Sequence, residues 1–96
     1  MFLGQVMSRL DDEAFAVETL LALGDLPLVV DLEATARRLG ESMSRYAVDA
    51  TRRFAALASD EDWLALVTAA EGAADPGPAC LRQMLSWSLQ QDREAR

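Results

Sequence analysis

The chain has 96 residues, 51% of them apolar, a net charge of −7 and one cysteine, Cys80. It has no His, which excludes a Ser-His-Asp or Cys-His site and any His-bearing metal centre built from this chain alone; one Cys permits neither an internal disulfide nor a thiolate metal cluster. The acidic balance argues against non-specific nucleic-acid binding and against attraction to anionic membranes.

Lys, Ile and Asn are absent as well. All three use AT-rich codons, so a GC-rich bacterial genome is the simplest source. The length suits a single domain over residues 1–96. No apolar run approaches the roughly 18–20 residues needed to span a bilayer. In "MFLGQVMSRLDDE" the apolar stretch is short and acids follow soon after, unlike a secretory leader. The expected location is cytoplasmic.

Helix signals dominate from the first residues. Leu3, Met7, Leu10, Ala14, Val17 and Leu21 recur at spacings of 4, 3, 4, 3 and 4, which predicts one helix running through Leu23. Gly24 supplies a stop, and Pro27 suits the first turn of the next helix.

The stretch "EATARRLGESMSRYAVDATRRF", residues 33–54, raises the main question. Its small Ala36 and its Gly40 four residues later loosely resemble the helix-turn-helix of DNA regulators. That resemblance implies a turn at Gly40–Ser42 and a recognition helix over Ser42–Phe54. Glu41 and Asp49 depart from the pattern, standing where it places buried apolar anchors. The competing reading is one continuous helix. Leu32, Ala36, Leu39, Met43, Tyr46, Ala50, Phe54 and Leu57 keep one phase straight through Gly40. Glu33/Arg37, Glu41/Arg45 and Asp49/Arg53 are acid-before-base pairs four apart; together they roughly offset the ~1 kcal/mol cost of a mid-helix glycine. The balance predicts one long central helix over about residues 28–58, bent at most at Gly40. At 1.5 Å per residue it would be about 46 Å long, more than a compact domain of this size spans, so it bends at Gly40, the bundle is elongated, or a second copy covers the overhang.

Beyond it, Ser59 is placed to cap a third helix, with Asp60, Glu61 and Asp62 in its first turn. Trp63, Val67, Ala70 and Ala74 mark the apolar face of that helix. "DPGP" then forces a turn. The last helix is predicted from about Pro78 to Gln91, with Cys80, Met84 and Trp87 beside Leu81, Leu85 and Leu89, and residues 92–96 as a frayed tail.

Residues 33–58 hold five Arg against three acids, whereas both flanks are acidic. Arg38, Arg45 and Arg52 are seven apart and so lie along one side of the predicted long helix. These three, with Tyr46, Phe2, Leu3 and Trp87, are the candidate partner-binding residues. The clusters Asp11-Asp12-Glu13 and Asp60-Glu61-Asp62 read as helix starts rather than catalytic or calcium sites. No phosphate loop, dinucleotide fingerprint or nucleophile elbow is present.

The expectation is an all-α, small four-helix bundle-like domain with one long central helix. Its expected function is that of an acidic protein-interaction module (an adaptor, chaperone-like or regulatory subunit) that self-associates through amphipathic helices as a homo-oligomer. No enzyme activity, cofactor, metal, membrane or small-molecule substrate is expected, and nucleic acid is disfavoured. The alternative is a helix-turn-helix DNA-binding regulator using residues 32–54.

Overall fold

A computed structural model describes residues 3–94, and among them every regular element is a helix. The six are α1 (Leu3–Leu10), α2 (Glu13–Leu23), α3 (Leu26–Arg38), α4 (Met43–Leu57), α5 (Asp60–Glu71) and α6 (Pro76–Glu94). The all-α class stands, with two helices more than the expected four. Both extra helices come from breaks inside continuous apolar stripes.

The first break lies at Asp11-Asp12. Asp12 leaves the helical region, and its carboxylate accepts hydrogen bonds from the amides of Ala14 at 2.8 Å and Phe15 at 3.4 Å. It thereby caps α2 and ends the single helix expected through Leu23. Gly24 then closes α2 in the left-handed conformation at φ 62°. Asp25 caps α3 by accepting from the Leu28 amide at 3.1 Å, with Pro27 in the first turn.

The second break overturns the long helix over 28–58. Gly40 sits at φ +74°, where an L side chain is strained. Its amide donates to the Arg37 carbonyl at 3.1 Å, and the Glu41 amide donates to the Ala36 carbonyl at 2.9 Å. These two bonds are the paired closing bonds of a Schellman motif. Two residues later the Ser42 hydroxyl accepts from the Arg45 amide at 3.1 Å and starts α4. The stripe keeps phase across the break because α3 and α4 both pack on α6, so phase continuity does not require helix continuity. The Glu41/Arg45 and Asp49/Arg53 pairs are replaced. Arg45 reaches Asp49 at 3.3 Å and Arg53 reaches Asp92 at 2.8 Å, while Glu33–Arg37 forms as expected at 2.7 Å.

Ser59 caps α5 as expected, in a reciprocal box: its hydroxyl accepts from the Asp62 amide at 3.1 Å, and Asp62 accepts from the Ser59 amide at 3.0 Å. On α5, Leu66 and Ala70 are buried, Trp63 and Val67 half-buried, and Ala74 beyond it exposed. The last helix runs from Pro76 to Glu94, longer at both ends than expected. Asp92 is helical and engaged, so the tail is not frayed at 92–94; residues 95 and 96 lie outside the described residues.

The core forms around α6, which packs against all five other helices, and α4, which packs against α6, α2, α3 and α1. Phe54 sits at its centre, edge-on to Trp63 at 5.0 Å and to Trp87 at 5.2 Å. Leu81, Met84 and Leu85 of α6 and Leu10, Leu32 and Leu66 from the surrounding helices are fully enclosed. Arg82–Asp25 at 3.5 Å and Arg93–Asp31 at 3.4 Å link α6 to α3 and its cap. The described residues span 35 × 27 × 22 Å. With the helix divided, there is no 46 Å helix whose overhang a second copy would have to cover. No helix among them is long and apolar enough to cross a membrane.

Candidate functional site

Two kinds of local chemistry stand out: a closed polar ring inside the α4–α6 seam, and apolar and charged side chains left at helix faces and corners.

The ring joins Tyr46 and Arg53 of α4 to Ser88 and Asp92 of α6. Arg53 donates to Asp92 Oδ1 at 2.8 Å and to Ser88 Oγ at 3.3 Å. The Tyr46 hydroxyl donates to Asp92 Oδ2 and lies 3.1 Å from Ser88 Oγ, which completes the circuit. No buried side-chain nitrogen or oxygen is orphaned among the described residues. Burial and then the bond to Asp92 push the Tyr46 phenol up to about 12. Such a phenol stays protonated and donates; the ring clamps α4 to α6 and offers no poised nucleophile or base. A cavity of about 160 Å³ borders it, lined also by Leu39, Glu41 and Asp49. Desolvation, then the nearby Asp49 carboxylate, raises the Glu41 pKa. A larger open groove, about 380 Å³, lies between α1, α2 and the start of α6. There the Arg9 guanidinium carbon lies 4.1 Å from the Phe15 ring centroid.

The expected arginine stripe is taken apart by the break at Gly40. Arg52 crosses to Asp11 at 2.6 Å, a pairing that lowers the Asp11 pKa chiefly through this hydrogen bond. Arg45 is tied to Asp49. Of the three stripe arginines, Arg38, exposed at the end of α3, is the one with no carboxylate within ion-pair distance among the described residues. Tyr46 is buried in the ring. Trp87 is half-buried, edge-on to Phe54, and its indole donates to Asp62 at 3.0 Å. Both are thus placed in the seam, not on a docking face. Phe2 lies outside the described residues, and Leu3 begins α1 with its side chain also outside them. The Cys80 thiol is buried and pushed up by that burial, which makes it an inert core hydrophobe. Among the described residues no three acid or thiol side chains converge as metal ligands.

Among the described residues six large apolar side chains are more than half exposed: Leu21 at 71%, Leu26 at 72%, Val30 at 65%, Leu39 at 52%, Leu57 at 69% and Leu64 at 67%. They fall in three places: the outer face of α3 with the end of α2, the α3–α4 turn and the α4–α5 corner. Leu26 and Val30 lie one turn apart on the outer face of α3, continued by exposed Ala34, with Leu21 near the end of α2. Leu39 precedes α4, Leu57 ends it, and Leu64 lies one turn into α5. Sequence periodicity placed Leu21, Leu39 and Leu57 on the apolar faces of their helices. What it lacked was the neighbour count at each position, which only packing supplies. The ring was missed for a related reason: its Asp92 lies in the segment read as a tail.

Comparison with protein-family models, with curated proteins and with solved structures finds no match to this chain.

Proposed function

We propose that this chain is an α-helical protein-interaction module, of the adaptor, chaperone-like or regulatory-subunit kind, which associates with further copies of itself. The observation that carries the reading is the set of six uncovered apolar side chains. They lie on the outer face of α3, at the α3–α4 turn and at the α4–α5 corner, on a molecule whose buried side-chain polar atoms are satisfied internally among the described residues. Single exposed leucines are ordinary, whereas grouped ones mark contact surfaces. The chemistry is burial of apolar helix faces, with charge selecting partner and orientation. The test is the solution mass by light scattering over a concentration series. A mass that rises above the monomer with concentration supports self-association; a monomer throughout the range removes it.

A second reading is favoured by one feature, the turn at Leu39–Ser42, which a helix-turn-helix regulator requires. Against it weighs the exposed face of α4, where Arg45 and Arg52 are already held by Asp49 and Asp11 rather than left free for phosphate or bases. Fluorescence anisotropy with duplex DNA at low salt tests it. Binding that weakens steeply with added salt would favour this reading, and no binding would end it.

A further inference from the structure

The two ends of α4 carry opposite surfaces. At its N-terminal end the α3–α4 turn presents Leu39, just over half exposed, beside Arg38. The neighbouring Arg37 and Arg45 are held by Glu33 and Asp49, and Glu41 is turned half inward, so Arg38 is the cation left over. At the C-terminal end the α4–α5 corner presents Leu57 and Leu64 around exposed Asp60 and Glu61. Neither of these acids has an arginine within ion-pair distance among the described residues. Their neighbour Asp62 is spent on the cap and on Trp87.

Each corner therefore offers what the other lacks: an apolar knob with a spare cation, and an apolar pair with two spare carboxylates. They cannot meet within one molecule. The 15 residues of α4 separate them by about 22 Å, which is the full short dimension of the fold. We infer that the α3–α4 corner of one copy docks on the α4–α5 corner of the next, in a head-to-tail contact that packs Leu39 against Leu57 and Leu64 and brings Arg38 to Asp60 and Glu61. A contact between two different patches of the same chain is heterologous; it repeats until a ring closes or a short filament forms. Burying the leucines supplies affinity, and the charge pair sets which corner meets which. The inference rests on the self-association proposed above and specifies its surface.

The experiment uses two full-length variants, Leu39→Ser and Leu64→Ser, each checked for unchanged helicity, since both positions are exposed. Alone, each variant has one corner damaged in every copy, and self-association is expected to weaken by about tenfold or more. Mixed in equal amounts, they restore one good contact, between the α4–α5 corner of Leu39→Ser and the α3–α4 corner of Leu64→Ser. A 1:1 dimer that grows no further is the expected result. Wild-type protein that assembles while both variants assemble equally well, or variants that stay monomeric when mixed, overturns the head-to-tail contact and leaves self-association standing. A wild type that is monomeric at every concentration removes both.

Discussion

Helices α3 and α6 meet opposite fates despite their composition. α3 is the richer in apolar residues, yet it buries only Leu32, Thr35 and Ala36 and leaves Leu26 and Val30 in solvent. α6 carries more polar residues and still buries Gly77, Cys80, Leu81, Met84, Leu85, Ser88 and Leu89. The difference is neighbours: α6 packs on every other helix, and α3 packs mainly on α4 and α6. Apolar content thus says that a helix wants partners, while topology decides whether those partners lie inside the molecule. In α6 even the polar face is used, because Ser88 and Asp92 meet Tyr46 and Arg53 in a closed ring.

That contrast can be broken most severely at α6. Leu85→Ala would open a cavity at a fully enclosed site and is expected to cost about 2–5 kcal/mol in urea unfolding. A cost near zero would mean that α6 is not central to the fold. Next comes the ring. Asp92→Ala would remove the carboxylate that Arg53 and Tyr46 share and leave them only Ser88, with an expected loss of about 1–3 kcal/mol. The tyrosine titration, followed by ultraviolet absorbance, should then shift down from its raised position, because the nearby carboxylate that opposes the phenolate is gone.

A smaller effect, dependent on pH, belongs to the turn between α3 and α4. Glu41 has a folded-state pKa above its ordinary value, mainly from desolvation and then from Asp49. The fold therefore favours its protonated form. The stability it contributes is present below the unfolded pKa and is lost as pH rises through the folded one. Glu41→Gln mimics the protonated acid. It should raise the urea midpoint at about pH 7 and make little difference at about pH 3, where the wild-type carboxyl is itself neutral. The smallest effect is expected on the outer face of α3. Leu26→Ser with Val30→Ser should change unfolding free energy by no more than about 0.5 kcal/mol per site, because neither side chain is covered within the molecule. A large loss there would place these residues in the core and weaken the contrast with α6.

Much of the fold was legible where a local signal was complete. Ser59 with Asp62 three residues on and Gly24 followed by Pro27 each mark an end that the structure respects, whereas in "DPGP" the turn precedes Pro76 and Pro76-Gly77-Pro78 form the first turn of α6. The miss at residues 39–42 was instructive. Gly40 and Ser42 stand two apart as a C-terminal stop and an N-cap, a local signal as strong as the others. The unbroken apolar phase outweighed it. The candidate site was less legible. Of the stripe Arg38, Arg45 and Arg52, two residues find acids that a continuous helix would have set differently, and one is left at a corner.

From the sequence alone follow the all-α class, the helix ends at Gly24 and Ser59 and the chemistries that a chain without His and with one Cys excludes. These depend on residue identity and on interactions within a few residues, such as caps, turns and helical period. Tertiary structure alone decided that Asp92 closes a ring with residues about forty positions earlier, that Arg52 is tied to Asp11, and which leucines lie uncovered. Those outcomes depend on which helix packs beside which, and a periodic stripe is the same whether a neighbour stands against it or water does.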